Sequence, residues 1–201
     1  MSDRKAIPQG VFKDVREAEH YDTESRLWMR NVVKDFARAA VRWGVTGGRV
    51  LDIGCGSGLR TIGLAGMLPC VQVTGLDLSE PVLDRALQSA IDSGVADRVS
   101  FEKGDAENIP FDSYSFDMVI CLSTLHLVNN PVKMLDEIQR VLRTGGRFYI
   151  RDYRRTWMGL LSPHIRACYT PQEATDLLKR SQLQNWQVRG GVFWLSILSK
   201  E

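Results

Sequence analysis

Residues Val50 to Gly58, VLDIGCGSG, constrain this chain more than any other stretch, because a short hydrophobic strand there runs into three glycines at every second position. Glycine has no Cβ, so such a turn adopts dihedrals closed to other residues and lets bare backbone approach a ligand. Backbone amides at the start of the helix that follows attract an anionic group. The spacing is not that of a dinucleotide loop: Gly54 and Gly56 fit GxGxxG, but its third glycine falls on Leu59. The third glycine is Gly58, and an acid, Asp52, precedes the series, giving DxGxGxG.

The 201 residues suit one domain, long enough to bury about 70% of its unfolded surface. Lys and Arg number 26 against 24 Asp and Glu, a net charge of +2. That balance falls short of the basic excess of a nucleic-acid binder, so no nucleic-acid partner is expected. Cys55, Cys70, Cys121 and Cys168 lie far apart with no CxxC pair, and only His20, His126 and His164 accompany them. Neither a disulfide framework nor a metal site is expected. The start, MSDRKAIPQG, is polar, and no window approaches the roughly 18 apolar residues needed to span a bilayer. No membrane partner is expected, and a cytoplasmic setting is the default.

Periodicity orders the rest. Met29, Val32, Val33, Phe36, Ala37 and Ala40 recur at helical spacing between Thr23 and Trp43, with Gly44 as a stop. Val50 to Ile53 reads as a buried strand, Leu59 to Leu68 as a helix and Val71 to Leu76 as a second strand. Ser79 offers an N-cap to a helix carrying Leu83, Ala86, Leu87, Ala90 and Ile91 and ending at Gly94. Val99 to Glu102 is a third strand, and Phe116 to Leu122 a fourth whose near-continuous apolar run suits a sheet covered on both faces. Pro131 opens a helix that Thr144-Gly145-Gly146 ends before a strand from Arg147 to Arg151. Thr170-Pro171-Gln172-Glu173 is a capping box for a helix running to about Arg180. Trp186 to Arg189 and Val192 to Ser199 are then joined across Gly190-Gly191, a two-residue hairpin signal that makes the last strand antiparallel. The expectation is an α/β fold, a Rossmann-like three-layer α/β/α sandwich with a seven-stranded sheet of five parallel strands and a C-terminal hairpin.

Open α/β sheets bind ligands at the carboxyl ends of their strands, where strand order reverses. Asp77 follows the second strand at the distance from the glycine loop at which an acid meets ribose hydroxyls; its bland alternative is to cap the helix beginning near Ser79. Gly104-Asp105-Ala106 follows the third strand and would otherwise be a polar turn. Asp52 would otherwise tie down the loop by bonding backbone amides. Cys55 is expected to contribute backbone only, since nothing cationic beside it in sequence lowers its pKa.

The DxGxGxG series resembles motif I of the class I S-adenosylmethionine-dependent methyltransferases, in the small-molecule, methyltransferase type 11 or ubiquinone-menaquinone-biosynthesis-like branch. The resemblance covers Val50 to Asp152 and implies S-adenosyl-L-methionine as cofactor, with S-adenosyl-L-homocysteine as product. Carried onto this chain, it implies that Asp52, Gly54, Cys55, Gly56 and Gly58 meet the amino acid tail. It implies that Asp77 and Leu78 meet the ribose, and that Gly104, Asp105 and Ala106 meet the adenine edge, with Cys121 nearby at the end of the fourth strand. Tyr21 resembles a lid residue of related small-molecule enzymes, which implies a contact with the cofactor and a place on the acceptor side. FDMVICLSTLH, residues 116 to 126, resembles the family's FDxVxxxxxLHH-like segment, with Cys121-Leu122-Ser123-Thr124 where enzymes that methylate DNA amino groups carry an acid or amide and two prolines. A small-molecule acceptor is therefore expected.

On the acceptor side, His126 and Asp152 are candidate catalytic residues, although a buried imidazole satisfied by backbone would explain His126 equally. Tyr153, Arg154 and Arg155 are candidate substrate contacts. Arg151, Arg154, Arg155, Arg166 and His164 form a locally basic stretch that suits an anionic acceptor or a solvated surface. Trp157, Met158, Leu160 and Leu161 would wall an apolar pocket or pack on the core. The partition is a single domain over 1–201, with a helical extension or lid at 1–45, a cofactor-binding core at 46–155, and a helix and closing hairpin at 156–201. An NAD(P)-dependent oxidoreductase and a non-catalytic S-adenosylmethionine-binding sensor or partner subunit are the alternatives. Oligomeric state is not legible.

Overall fold

The computed structural model describes residues 15–160 and 162–201, with side chains from residue 28 onward. A long helix α1 (Val15–Arg42) precedes β1 (Gly48–Ile53), α2 (Leu59–Met67), β2 (Val71–Asp77), α3 (Glu80–Asp92), β3 (Val99–Lys103) and β4 (Phe116–Leu122). These are followed by α4 (Pro131–Val141), β5 (Leu142–Tyr153), a 3-10 turn (Trp157–Leu160), α5 (Pro163–Ala167), α6 (Pro171–Arg180), β6 (Trp186–Gly190) and β7 (Trp194–Ser199). The sheet has seven strands in the order β3-β2-β1-β4-β5-β7-β6. β1 to β5 pair in parallel, and β7 runs antiparallel to both of its neighbours.

Alternation along the strands sorts the core into two layers. Met118, Ile120 and Leu122 of β4 face α1, α2 and α3, where they join Val33, Phe36, Leu64 and Ala90. Val119 and Cys121 point the other way, toward Met134, Leu135 and Ile138 of α4 and Leu177 and Leu178 of α6. Every residue of β4 is buried, as its apolar run requires. The register puts Ile53, Leu76, Cys121 and Ile150 in one row across the sheet, so the ends of β1, β2, β4 and β5 open onto a common edge.

Local chemistry explains most element ends. Gly44 stops α1 at φ +74°, and Asn130 caps α4 by accepting from Lys133 N at 3.1 Å. Thr170 and Glu173 form the expected capping box on α6. Three expectations shift. Ser79 sits at the N-cap of α3 but its side chain makes no cap bond. β5 begins directly at Leu142, so Gly145 and Gly146 lie within the span that returns to the sheet rather than in a separate turn. The closing hairpin turns further along than Gly190-Gly191: Gly190 pairs with Leu195 and Gly191 N donates to Trp194 O at 2.7 Å, which leaves Val192 and Phe193 exposed at the tip. Pairing of Trp186 to Gly190 with Leu195 to Ser199 sets that register, and burial of Leu195 and Ile197 holds it.

Candidate active site

Strand order reverses between β1 and β4, and the glycine loop leaves the sheet there. Gly54 N and Cys55 N donate to Leu76 O at 2.8 and 3.1 Å, and Gly56 N donates to Asp77 Oδ2 at 2.9 Å. These amides bind β2 rather than standing open as a row of anion donors, a departure from the simplest reading of the loop. At Gly54, φ is +66° and a Cβ would lie 2.1 Å from Thr124 Oγ1. At Gly58, the N-cap of α2, φ is +80° and a Cβ would come within 2.9 Å of Ala86 and Phe101. Close packing, as well as the turn itself, demands glycine at both positions.

Asp77 meets both of its readings. Its Oδ2 accepts from Gly56 N and its Oδ1 accepts from Ser79 N at 3.0 Å, so one carboxylate joins the glycine loop to the turn before α3. Leu78 beside it is half exposed, and Gly104 N donates to Asp77 O at 3.0 Å, drawing the segment after β3 to the same place. Asp105 is exposed, with Oδ1 accepting from Glu107 N at 2.8 Å, and Ala106 is buried.

Asp52 departs from expectation. It has the same parity as Val50, which faces α2, so its carboxylate meets that helix and is fully buried. Arg60 donates to Oδ1 through Nη2 at 2.9 Å and Nε at 3.2 Å, and Thr61 Oγ1 donates to Oδ2 at 2.8 Å. Side chains of α2, not backbone amides, hold it. Arg60 Nη2 also donates to Gly54 O at 2.6 Å, so this buried guanidinium braces the glycine loop from beneath. Burial pushes the Asp52 carboxyl above its ordinary value, against the pull of Arg60 and the Thr61 hydrogen bond. Burial likewise pushes the Cys55 thiol well up, aided by the charges of Asp52 and Asp77, and it pushes Cys121 up to about 12, aided by Asp152. Both are inert thiols at neutral pH.

His126 and Asp152 come together, also buried. His126 N donates to Asp152 Oδ2 at 3.1 Å, and His126 Nδ1 lies 2.7 Å from Asp152 Oδ1, which also accepts from Tyr153 N at 2.7 Å. His126 is therefore satisfied by a carboxylate, not by backbone alone. Its Nε2 stands 3.0 Å from Nε2 of His164 on α5, with the two rings nearly perpendicular at 85°. Cys168 Sγ donates to His164 O at 3.2 Å and lies close enough to His126 and Asp152 for their ligand-type atoms to fall within 4.8 Å of one another. The Nδ1 to Oδ1 contact is a hydrogen bond, shorter than the spacing of two ligands placed about 2.0–2.2 Å from an ion. Burial and the neighbouring His126 hold His164 below the ordinary imidazole value, against the pull of Asp152. Tyr153 stacks on Trp194 with ring centroids 4.5 Å apart and lies 5.8 Å from the His164 ring. Burial raises its phenol, helped by Asp152 and Cys168.

The arginines do not converge on one point. Arg155 pairs with Glu173, Arg154 donates to Gly191 O at 2.7 Å, Arg166 donates to Gly159 O at 3.1 Å, and Arg151 pairs with Asp35 of α1 at 2.9 Å. Trp157 and Leu160 are exposed rather than walling a pocket, and Leu161 lies outside the described residues. The side chain of Tyr21 also lies outside the described residues. Sequence reasoning missed Arg60 and Thr61 as site supports, Thr124 as the neighbour that crowds Gly54, and His164 as the partner of His126. An arginine within the apolar face of α2 was the one available signal. The other contacts join residues far apart in sequence.

The sheet order, the DxGxGxG loop after β1, the acid ending β2 and the acid just past β3 define the class I methyltransferase architecture. A family model described as a methyltransferase domain matches residues 45–189. The chain belongs to that family, the class I S-adenosylmethionine-dependent methyltransferases. It is 41% identical over 107 residues to 27-O-demethylrifamycin SV methyltransferase of Amycolatopsis mediterranei, covering 53% of this chain and 39% of that protein. It is 36% identical over 164 residues to demethylmenaquinone methyltransferase of Lactiplantibacillus plantarum, covering 77% of this chain and 66% of that protein. A protein of Methanococcus maripaludis described as an S-adenosyl-L-methionine-dependent methyltransferase shares the fold with a TM-score of 0.77 at 22% identity, over 97% of this chain and 98% of that one. The chain spans between about a quarter and two thirds of the length of the curated relatives it matches. No helix among the described residues is long and apolar enough to cross a membrane.

Proposed function

We propose that this protein transfers a methyl group from S-adenosylmethionine to a small-molecule acceptor by in-line displacement. The observation that carries the reading is Asp77, held 2.9 Å from Gly56 N at the mouth of the glycine loop. An acid there takes vicinal ribose hydroxyls, and Leu59 at the third-glycine position of GxGxxG argues against a dinucleotide in the same place. Leu78, 50% exposed, offers apolar surface of the kind a nucleoside covers, and the exposed Asp105 stands ready to accept from an exocyclic amine. These residues fit the cofactor of the family.

When bound, S-adenosylmethionine supplies a methyl group on an activated sulfonium, so the protein has little bond-making to assist. Its task is positioning. Gly54 to Gly58, anchored to β2 by backbone bonds and braced by Arg60, would hold the amino acid tail, Asp77 the ribose, and Asp105 the adenine edge. Tyr153, stacked on Trp194 near the histidine pair, would flank the acceptor. The departure of Cys121 to Thr124 from the pattern of DNA amino methylation supports a small acceptor, as do relatives named for rifamycin and menaquinone substrates.

Calorimetry with S-adenosylhomocysteine and with NADH tests the reading. Binding of the first and not the second is expected, and NADH binding alone would overturn it. Binding of S-adenosylhomocysteine with no transfer to any member of a broad acceptor panel favours the sensor.

A further inference from the structure

We propose that His164 is the base that removes a proton from the acceptor, with His126 and Asp152 as a buried relay behind it, so that the acceptors of this protein are molecules with an ionisable O–H, N–H or S–H. The inference rests on the methyl-transfer reading above and deepens it. His126 itself is completely buried and cannot reach an acceptor. Hydrogen-bond direction follows by elimination. Asp152 Oδ1 already accepts from Tyr153 N, and Oδ2 accepts from His126 N, so Nδ1 of His126 donates to this carboxylate. In the neutral ring Nε2 of His126 is then the acceptor, and the atom facing it at 3.0 Å, Nε2 of His164, donates. That leaves Nδ1 of His164 with its lone pair, and among the described residues it has no hydrogen-bond partner. His164 is the exposed end of the chain and His126 the buried one.

The chain has a direction that suits catalysis. The acceptor gives its proton to Nδ1 of His164 while its lone pair forms the bond to the methyl carbon and the C–S pair returns to sulfur. The proton on Nε2 of His164 is then free to move to His126, where the buried carboxylate stabilises the charge. Proton release to water restores the neutral pair. The groups facing His164 are His126, Asp152, Tyr153 and Cys168, from the segment after β4, from β5 and from the segment after α5. The lowered pKa of His164 keeps it in the basic form at neutral pH.

With only three histidines in the chain, 15N spectra of the imidazoles read the relay directly, in protein saturated with S-adenosylhomocysteine. The expected result is His126 as the Nδ1–H tautomer and His164 as the Nε2–H tautomer, with a midpoint for His164 below the ordinary value. Asp152→Asn, nearly isosteric, should lower that midpoint further, and His126→Gln should raise it. A His164 that carries its proton on Nδ1, or titrates at the ordinary value regardless of both replacements, overturns the relay. For the chemistry, labelled donor is offered to catechol and benzyl mercaptan, which must lose a proton, and to pyridine, which has none to lose. His164→Gln should cut transfer to catechol or benzyl mercaptan by about 100-fold or more while leaving S-adenosylhomocysteine affinity within twofold. Undiminished transfer in that variant, or transfer to pyridine alone, refutes the base. Failure to bind S-adenosylhomocysteine would instead refute the proposed function, so the two failures are distinguishable.

Discussion

The two halves of the site are built in different ways. On the β1–β2 side, backbone does the work: loop amides bond to β2, two glycines meet neighbours that leave no room for a Cβ, and one carboxylate joins loop to helix. On the β4–β5 side, side chains from separate segments do it, with His126, Asp152, His164 and Tyr153 assembled around a polar knot. On the proposed reading the first half would hold a ligand whose shape is constant, for which a rigid turn with fixed spacing serves. The second half would adjoin the acceptor, and side chains on loops and a short helix are easier to vary without disturbing the sheet. The two halves touch at Thr124, whose hydroxyl lies 3.5 Å from Ile53 O and packs against Gly54.

The largest effect expected of a single replacement lies under the backbone-built half. Arg60→Ala leaves Asp52 buried without its counter-charge and should cost about 3–5 kcal/mol of stability in urea denaturation. Adding Asp52→Asn should recover much of the loss. If Arg60→Ala is neutral, the loop does not depend on this ion pair and the contrast between halves weakens.

Asp77→Ala comes next, and should act on binding more than on folding. Loss of a charged hydrogen-bond acceptor is worth about 1.5–3 kcal/mol, a ten- to hundredfold loss of S-adenosylhomocysteine affinity by calorimetry. An unchanged dissociation constant would remove Asp77 from the site. Gly54→Ala places a methyl against Thr124 at a positive φ and should cost about 1–3 kcal/mol. Thr124→Ala in the same chain should return the steric part and leave the dihedral strain, which would show how tightly the halves are coupled.

The smallest effect expected is a pH dependence that separates carboxylates from imidazole. Hydrogen bonding to Arg140 holds Glu137 below its ordinary value, and for Glu173 burial is outweighed by hydrogen bonds from Thr170 and Arg155. Their contribution is complete above the unfolded value of 4.5 and is lost as pH falls through the lowered folded values. For His164 the unfolded chain binds its proton first, so stability begins to fall as pH drops below 6.5. Thermal melts between neutral pH and pH 3 should show two sloping regions, and His164→Gln should remove only the upper one.

Local rules were enough to lay out the strands, every α-helix but α5, the glycine loop and Asp77 in order, because alternation, capping and turn chemistry act over a few residues. They also placed the antiparallel final strand, although cross-strand pairing moved its turn to Val192 and Phe193. Which way a polar side chain faces was another matter. Asp52 was legible as an acid beside the loop, but only the packing of α2 against β1 decided that Arg60 and Thr61 would engage it. His126 and Asp152 were legible as separate candidates 26 positions apart. Their union, and the arrival of His164 from α5, required the sheet to bring β4 beside β5. Contacts of that range have no periodic trace in the chain, since each joins segments whose only common cause is the fold.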